Sequence, residues 1–252
     1  MPRVLLSAGL AAVLVASPAL ISGQQKATPH WSYEGEEGPS HWGDLDPAYS
    51  ACKSGTEQAP IDIIKPVAAS LPPIRFDYKP SPLAIVDNGH SVQINYGPGS
   101  SIDVAGHRYE LKQFHFHHPS ENKIHGKQYS LEIHFVHADS EGKQAVVGIL
   151  VDRGAASPAI QALWENLPTT KNQVSRPPGV SVNAADFLPA ERGYYTFPGS
   201  LTTPPCSEGL SWYLLKTADE ASSGQIEAFA KLYPMNARPT QPLHQRMVRE
   251  SK

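Results

Sequence analysis

The sequence predicts a mainly β protein, with a single domain built on a large central, mostly antiparallel, twisted β-sheet and small peripheral helices. Short alternations of apolar and polar residues recur along the chain, as they do in strands that bury one face. Twenty-four prolines and nineteen glycines separate these alternations, which is typical of the turns between strands. No repeat, coiled-coil heptad or charge run interrupts the pattern. One continuous domain is therefore expected.

Nine segments carry the strand pattern, and two carry the three- and four-residue spacing of apolar positions that is typical of a helix. The predicted strands are 61–64, 74–78, 91–96, 101–104, 110–117, 131–137, 145–151, 193–198 and 210–216. The predicted helices are 158–165 and 223–232. Residues 24–40 are expected to form an exposed arm whose later part docks on the domain through Trp31, Tyr33 and Trp42. A fully disordered arm is the alternative.

Composition describes a globular protein that does not bind nucleic acid. A chain of 252 residues with 40% hydrophobic and 18% charged residues can bury a sizeable core. The formal net charge is −3, so the chain lacks the basic surface that a nucleic-acid partner requires.

Residues 1–23 have the organisation of a secretory signal peptide. Arg3 precedes an apolar run over residues 4–16, and small residues follow it up to Gly23. The run is too short for a membrane span, although retention as an anchor is the alternative. We expect cleavage to leave a catalytic domain over residues 24–252, periplasmic or secreted, with no attachment to a membrane.

The chain has two cysteines, Cys52 and Cys206. An oxidising compartment favours their pairing, whereas two buried free thiols are the alternative. A bridge between residues so distant in sequence would stabilise the fold by roughly 5 kcal/mol in the chain-entropy model, of which about 2 to 4 is more often realised.

Strand periodicity places three histidines on matching faces of two segments. His115 and His117 share a face with Gln113, while the intervening phenylalanines point the other way. By the same rule His134 shares a face with Glu132 and Val136. The segment between them contains proline, glycine and polar residues and suits a connection between antiparallel neighbours.

Three neutral imidazoles around an open position are typical of a hydrolytic zinc site. Gln113 and Glu132, each two residues from a histidine on the same face, can accept the second ring N–H and so orient the ligand. The alternative is a chance set of hydrogen-bonded histidines in a polar patch. A third histidine with two polar neighbours favours the metal.

Several further motifs are spread over nearly the whole chain. They are WSY (31–33), QAPIDI (58–63), NGH (88–90), QFHFH (113–117), SE (120–121), LEIHFVH (131–137), YTFPGSLTTPPC (195–206) and RPTQPL (238–243). In order and spacing these motifs are similar to those of the alpha-class carbonic anhydrases. The exported form with two cysteines is most similar to the bacterial periplasmic branch of that family.

The resemblance implies a role for each matching residue. His115, His117 and His134 match the zinc ligands, and Gln113, Glu132 and the carbonyl of Asn236 match the groups that orient them. Thr202 matches the threonine that accepts a hydrogen bond from zinc-bound hydroxide and donates its own to an ionised Glu121. The matching apolar wall for carbon dioxide comprises Val136, Val146, Leu201, Leu210 and Trp212, with Thr203 as a polar contact for bicarbonate.

The resemblance also implies a route for the proton. His90 matches the proton shuttle, and Tyr33, Asn88 and Gln93 match the polar groups that order connecting waters. Taken alone, the Asn-Gly-His sequence indicates only a turn with an exposed histidine, and each member of the apolar wall indicates ordinary core packing. Gln93 stands where many relatives have asparagine. His30, His137 and the other histidines are assigned no site role.

The function implied by the resemblance is zinc-dependent, reversible hydration of carbon dioxide to bicarbonate and a proton. Attack by zinc-bound hydroxide would be followed by proton transfer through His90. Sulfonamide or inorganic anion inhibitors and a homodimer are expected by the same resemblance. The alternatives are a zinc esterase or hydrolase and a non-catalytic binding module related to carbonic anhydrase.

Overall fold

A computed structural model describes residues 29–252. The predicted signal peptide and residues 24–28 of the predicted arm lie outside the described residues. The strands are β1 (Asp62–Ile63), β2 (Val67–Ala69), β3 (Arg75–Asp77), β4 (Ser81–Pro82), β5 (Ile85–Asp87), β6 (Val92–Asn95), β7 (Ser101–Val104), β8 (His107–His117), β9 (Lys123–Ile124), β10 (Leu131–Ala138), β11 (Gln144–Arg153), β12 (Ser181–Val182), β13 (Tyr194–Ser200), β14 (Glu208–Leu215), β15 (Asp219–Ala221) and β16 (Arg249–Ser251). The α-helices are α1 (Trp42–Leu45), α2 (Ala51–Ser54), α3 (Pro158–Trp164) and α4 (Ser223–Leu232).

A twelve-stranded sheet dominates the described part of the chain, in the order β2-β16-β13-β14-β11-β10-β8-β6-β5, with β3, β7 and β15 paired beside this path. Most neighbouring strands are antiparallel, and the parallel pairs are β11 with β14, β11 with β15 and β16 with β2. The helices are short. The predicted fold class, mainly β with a large, mostly antiparallel sheet and small helices, is confirmed.

All nine predicted strands and both predicted helices are present, with boundaries shifted by no more than a few residues. The helix predicted over 223–232 has those bounds in α4. The sequence analysis missed the shortest elements, such as β2 and β12 among the strands and α1 and α2 among the helices. Two to four residues are too few to display a period of 2 or 3.6. Elements of this length therefore depend on contacts with distant segments of the chain.

The two faces of β8 and β10 belong to different environments. Phe114, Phe116, Ile133 and Phe135 are fully buried in the larger hydrophobic core. Val136 lies on the opposite face, in a second cluster with residues of β11 and β14. The predicted alternation of faces is therefore confirmed. Burial of the aromatic face fixes the position of both strands, and with it the position of the histidine face.

The later part of the predicted arm docks on the domain. Trp31 and Tyr33 pack with the fully buried Trp42 and with the two cysteines in a separate cluster. The indole N–H of Trp42 donates to the carbonyl of Ser32 at 2.8 Å. A disordered arm is therefore excluded for residues 31–42. Within residues 29–252, no helix has the length and apolar character needed to cross a membrane.

Candidate metal centre

Strand register brings the three predicted ligands together. In the antiparallel pair of β10 with β8, His134 lies opposite His115 and Glu132 lies opposite His117. Each of the three histidines offers one ring nitrogen to a group whose atoms lie within 4.8 Å of one another. The predicted antiparallel neighbours and their coincident polar faces are confirmed.

Hydrogen bonds determine which nitrogen of each ring remains available. The Nδ1 atom of His115 lies 2.8 Å from Oε1 of Gln113, and Nδ1 of His117 lies 2.7 Å from the carbonyl oxygen of Asn236. Both rings therefore carry the proton on Nδ1, which leaves Nε2 with a lone pair. The predicted partners, Gln113 and the carbonyl of Asn236, are in place.

His134 has the reverse orientation. Its Nε2 atom lies 3.0 Å from Oε1 of Glu132, which leaves Nδ1 as the free nitrogen. This contact is short but not aligned as a hydrogen bond. Glu132 is itself held firmly, because its Oε2 atom accepts from the backbone N–H groups of Glu121 and Asn122, each at 2.8 Å. Glu132 therefore lies next to His134, where the sequence analysis expected it, and its role as acceptor stays a prediction.

The electrostatic environment keeps all three rings neutral. Burial lowers the pKa of His115 well below its ordinary value, and the neighbouring His117 and His134 lower it further. Burial and His117 likewise lower the pKa of His134. Burial also lowers the pKa of His117, against an opposing effect of its bond to Asn236. Metal ligation requires neutral imidazoles, so the cluster is in the correct protonation state.

The donor set fits a zinc ion. Nε2 of His117 is buried and has no hydrogen-bond partner within residues 29–252. An unpaired buried nitrogen is costly unless something occupies its lone pair. Three imidazole nitrogens with oriented second nitrogens are the typical ligand set of a catalytic zinc site.

Glu121 lies beside this cluster, fully buried, with Oε2 3.6 Å from Nε2 of His117. Its other oxygen accepts from the backbone N–H of Arg238 at 2.8 Å. Burial raises the pKa of the Glu121 carboxyl well above its ordinary value, and hydrogen bonding by the backbone N–H of Arg238 and by the Thr202 hydroxyl offsets only part of this rise. Oε2 makes no well-aligned hydrogen bond in the described chain. Thr202 and Glu121 are nonetheless neighbours, as predicted.

The loop that carries Thr202 is tied to α2 by a covalent bond. Cys52 and Cys206 form a disulfide across a separation of 154 residues, so the predicted pairing is confirmed and free thiols are excluded. Within the loop, the N–H of Cys206 donates to the carbonyl of Thr203 at 2.8 Å. Thr202 is buried and Thr203 is partly exposed.

The predicted apolar wall forms one continuous surface next to the histidines. Val136 lies opposite Val146 across β10 and β11, and Val146 lies beside Trp212 across β11 and β14. Leu210 is buried in the same cluster, with Leu201 packed against it. The indole of Trp212 meets the ring of His134 edge to face, at 4.9 Å between centroids. The structure therefore brings all five predicted wall residues together.

His90 lies in a turn rather than on a strand. Oδ1 of Asn88 accepts from the backbone N–H groups of His90 and Ser91, at 3.0 and 2.8 Å, and Gly89 adopts a left-handed φ of 87°. The His90 ring is stacked on Trp31, with 3.7 Å between centroids and 8° between planes. Burial lowers the pKa of His90, and the nearby His30 and Lys171 lower it further.

Two of the three predicted water-ordering residues contact each other. Nδ2 of Asn88 donates to Oε1 of Gln93 at 3.3 Å, and Gln93 lies opposite His115 across β6 and β8. Tyr33 is placed elsewhere on the site, in the aromatic cluster of the arm. Burial raises the pKa of Tyr33, and the proximity of Glu121 raises it further.

Comparisons with known proteins agree with this geometry. The family model for eukaryotic-type carbonic anhydrase matches residues 37–252. A carbonic anhydrase of Nostoc sp. is 41% identical over 240 residues, which cover 93% of this chain and 91% of the relative.

The chain belongs to the eukaryotic-type carbonic anhydrase family.

Solved structures of carbonic anhydrases share the fold. One, a hyperthermostable carbonic anhydrase identified from an active hydrothermal vent chimney, is 48% identical with a TM-score of 0.86, and the match covers 88% of this chain and 100% of that chain. The alpha-carbonic anhydrase of Thermovibrio ammonificans, solved in complex with the inhibitor sulfanilamide, is 42% identical with a TM-score of 0.84 over 89% of this chain and 100% of that one. As a member of the carbonic anhydrase family, the protein is an enzyme.

The sequence analysis missed three contributions to this carbonic anhydrase site. Arg238 anchors Glu121, Trp31 stacks on His90, and the side chain of Asn236 contacts the His90 turn. Arg238 and Trp31 stand in motifs that matched the family, but nothing local in the sequence shows what they touch. Each acts on a residue more than fifty positions away in the chain.

Proposed function

We propose that the protein catalyses the reversible hydration of carbon dioxide to bicarbonate and a proton, using Zn²⁺ held by His115, His117 and His134. One observation carries this proposal: three neutral imidazoles converge in a chain of the carbonic anhydrase family, two of them hydrogen-bonded through their second nitrogen and the third beside the carboxylate of Glu132. When bound, zinc lowers the pKa of a coordinated water to about 7, an effect for which carbonic anhydrase is itself the standard example.

The residues around the cluster would orient the nucleophile. We infer that Thr202 donates its hydroxyl proton to the Glu121 carboxylate and presents its lone pairs to the attacking group. Burial raises the pKa of the Glu121 carboxyl, and the hydrogen bond from the backbone N–H of Arg238 opposes that rise. A charged acceptor at Glu121 makes the direction of the Thr202 proton unambiguous.

The apolar wall would receive the substrate. Carbon dioxide is uncharged and nearly apolar, so it can bind to a surface of valine, leucine and tryptophan side chains beside the histidines. That surface comprises Val136, Val146, Leu201, Leu210 and Trp212. Thr203, partly exposed at the same loop, would offer a hydrogen bond to bicarbonate.

His90 would carry the proton away from the site. A neutral imidazole accepts a proton at a ring nitrogen near neutral pH and releases it to buffer. Asn88 and Gln93, which contact each other, and Tyr33 would order the waters along the route. The lowered pKa of His90 favours rapid release of the proton over its retention.

The sequence also supports a proposal for the biological setting. We propose that residues 1–23 are a cleaved signal peptide and that residues 24–252 are the catalytic domain of a carbonic anhydrase of the bacterial periplasmic type. This domain would work as a homodimer, either in the periplasm or as a secreted protein. The disulfide supports an oxidising compartment. Sulfonamide and inorganic anion inhibitors are expected to bind, as sulfanilamide does to the relative of Thermovibrio ammonificans.

The proposed function is tested by comparing two histidine variants of β8. His117→Ala removes a buried ligand, whereas His107→Ala alters an exposed residue at the start of the same strand. Zinc content, stopped-flow carbon dioxide hydration and hydrolysis of an activated ester are measured on each. We expect His117→Ala to lose stoichiometric zinc and at least about 10³-fold in hydration rate, and His107→Ala to match the wild type. Full hydration activity in His117→Ala would refute the proposal, and ester cleavage without hydration would favour an esterase.

A further inference from the structure

The side chain of Asn236 is buried between the metal cluster and the His90 turn. Asn236 follows α4, is fully buried, and places its backbone carbonyl 2.7 Å from Nδ1 of His117. Because this contact uses the main chain, the side-chain amide of Asn236 can bond other groups. It contacts the turn that carries His90.

The NH₂ group of the Asn236 amide donates hydrogen bonds to two separate segments, the His90 turn and β8. Nδ2 donates to the carbonyl of His90 at 2.9 Å and to the carbonyl of Phe116, in β8, at 3.0 Å. Oδ1 accepts from the backbone N–H of His118 at 2.7 Å. The opposite orientation of the amide would set its oxygen against two carbonyl oxygens and its NH₂ group against an N–H, so the hydrogen-bond pattern admits a single orientation.

We propose that Asn236 is a positioning residue that holds the His90 turn in register with the metal ligand His117. Its main chain orients the His117 ring and its side chain anchors His90, so one residue couples the hydration step to the proton-transfer step. This inference rests on the proposed function for its catalytic consequence. Its structural part, the anchoring of the turn, does not.

The local bonds of the turn do not replace this anchor. Asn88 and Asp87 accept from N–H groups of residues 89–91, and these bonds define the shape of the turn. These bonds connect the turn to itself. Ser91 adds one tie to β8, because its hydroxyl donates to the carbonyl of Phe116 and accepts from the N–H of Phe116 at 3.2 Å, but that tie holds Ser91 and not the backbone carbonyl of His90. Nδ2 of Asn236 bridges the turn to β8, because it binds His90 and Phe116 together.

The test compares Asn236→Ala with Gln225→Ala. Gln225 is a matched control because it is also a buried amide that bridges backbone groups, donating to the carbonyl of Ser157 at 2.7 Å and accepting from its N–H at 3.0 Å. It lies in α4 and contacts none of the proposed catalytic residues. Both variants lose a buried bridging amide, and only one loses the contact with His90.

We expect Asn236→Ala to lower kcat in weak buffer by about tenfold, a part of the 10²–10⁴-fold that a positioned proton-transfer group contributes. Added imidazole should restore that loss, and kcat/KM should stay within about threefold of the wild type because the carbonyl that orients His117 remains. In a His90→Ala background, Asn236→Ala should lower kcat by less than about twofold. Equal losses in kcat and kcat/KM, or the same profile in Gln225→Ala, would overturn the proposal.

Amide hydrogen exchange supplies a readout that does not depend on activity. Exchange at His90 and Ser91 should be about tenfold faster in zinc-loaded Asn236→Ala and unchanged in Gln225→Ala, with zinc dissociation within about threefold of the wild type in both. Unchanged exchange at His90 would contradict the anchoring. If the wild type hydrates no carbon dioxide, the proposed function fails while this exchange result still decides the anchoring.

If Asn236→Ala does not fold, the anchoring of the His90 turn is tested by NMR on the wild-type protein. The side-chain amide protons of Asn236 should exchange slowly and show scalar coupling across the hydrogen bond to the carbonyl carbon of His90. Exchange as fast as that of an exposed asparagine would overturn the proposal.

Discussion

The metal cluster and the His90 turn are built in different ways, although both belong to one proposed reaction. His115, His117 and His134 stand on two long paired strands whose other faces are buried in an aromatic core. His90 stands on a turn that is positioned by Asn236 and Trp31. Strand pairing determines the cluster through backbone register, whereas the turn depends on single side chains. We therefore expect changes to the turn to affect proton transfer without disturbing metal binding.

The largest effect is expected from His90→Ala. Without the imidazole, turnover in weak buffer should fall by about 10²-fold, the lower end of the contribution of a positioned acid–base group. Added imidazole should restore turnover. Stopped-flow measurement of kcat and kcat/KM against buffer concentration checks this, and a loss of bound zinc in the variant would break the proposed separation of the two regions.

Gln113→Ala should act on the other region. It removes the acceptor of the His115 Nδ1–H, and loss of such a partner costs about 10- to 100-fold in metal affinity. Competition with a chromophoric chelator measures the zinc affinity. Buffer dependence of turnover should be unchanged once zinc is saturating. If zinc affinity stays at the wild-type value, backbone register alone holds the ring.

His137 sharpens the comparison within β10, because its ring packs on Tyr78 at the core side of the strand, whereas His134 belongs to the metal cluster. Burial lowers the pKa of His137 to about 3, well below the ordinary value of about 6.5. The unfolded chain therefore takes up this proton first, and stability contributed above about pH 6.5 is lost as the pH falls toward 3, at roughly 1.4 kcal/mol per pH unit at most.

Urea unfolding between pH 7 and pH 4 tests this prediction. His137→Gln retains a group that can reach the Tyr78 hydroxyl, which lies 2.9 Å from Nε2 of His137, and cannot take up a proton. Its stability should decline less steeply with acid than that of the wild type. Parallel curves for the two proteins would show that His137 does not titrate on unfolding.

The smallest effect is expected from Trp31→Leu. Burial is the main cause of the lowered pKa of His90, and Trp31 covers one face of its ring. Removing the indole should raise the pKa of His90 toward its ordinary value, by less than about one pH unit. NMR titration of the ring measures it. His30→Ala should raise the same pKa by removing a neighbouring charge, and an unchanged pKa in both variants would contradict the assigned causes.

Sequence analysis predicted what periodicity and motif order encode. The parity of 113–117 and 131–136 predicted the shared face of three histidines, and the structure has that register. The family resemblance, rather than periodicity, indicated Thr202, Glu121 and the wall residues. The wall shows the difference, because Val146 and Trp212 become neighbours only through the parallel pairing of β11 with β14.

The remaining contacts depend on tertiary packing that no local pattern reveals. Arg238 donates to Glu121 from 117 positions away, and Asn236 reaches His90 across 146 positions. Asparagine and arginine in a Pro-containing segment predict a surface loop. In this protein both side chains are buried, because they donate to backbone carbonyls and, from Arg238, to the side-chain oxygen of Gln58, groups that would otherwise be unpaired.

Zinc titration of the metal-free protein tests the central claim most directly. Stopped-flow carbon dioxide hydration is measured as Zn²⁺ is added to chelator-treated wild type of known concentration. The account predicts that activity rises in proportion to added zinc and reaches its maximum at one ion per chain. Hydration activity before any zinc is added, or no activity at one bound ion per chain, would contradict it.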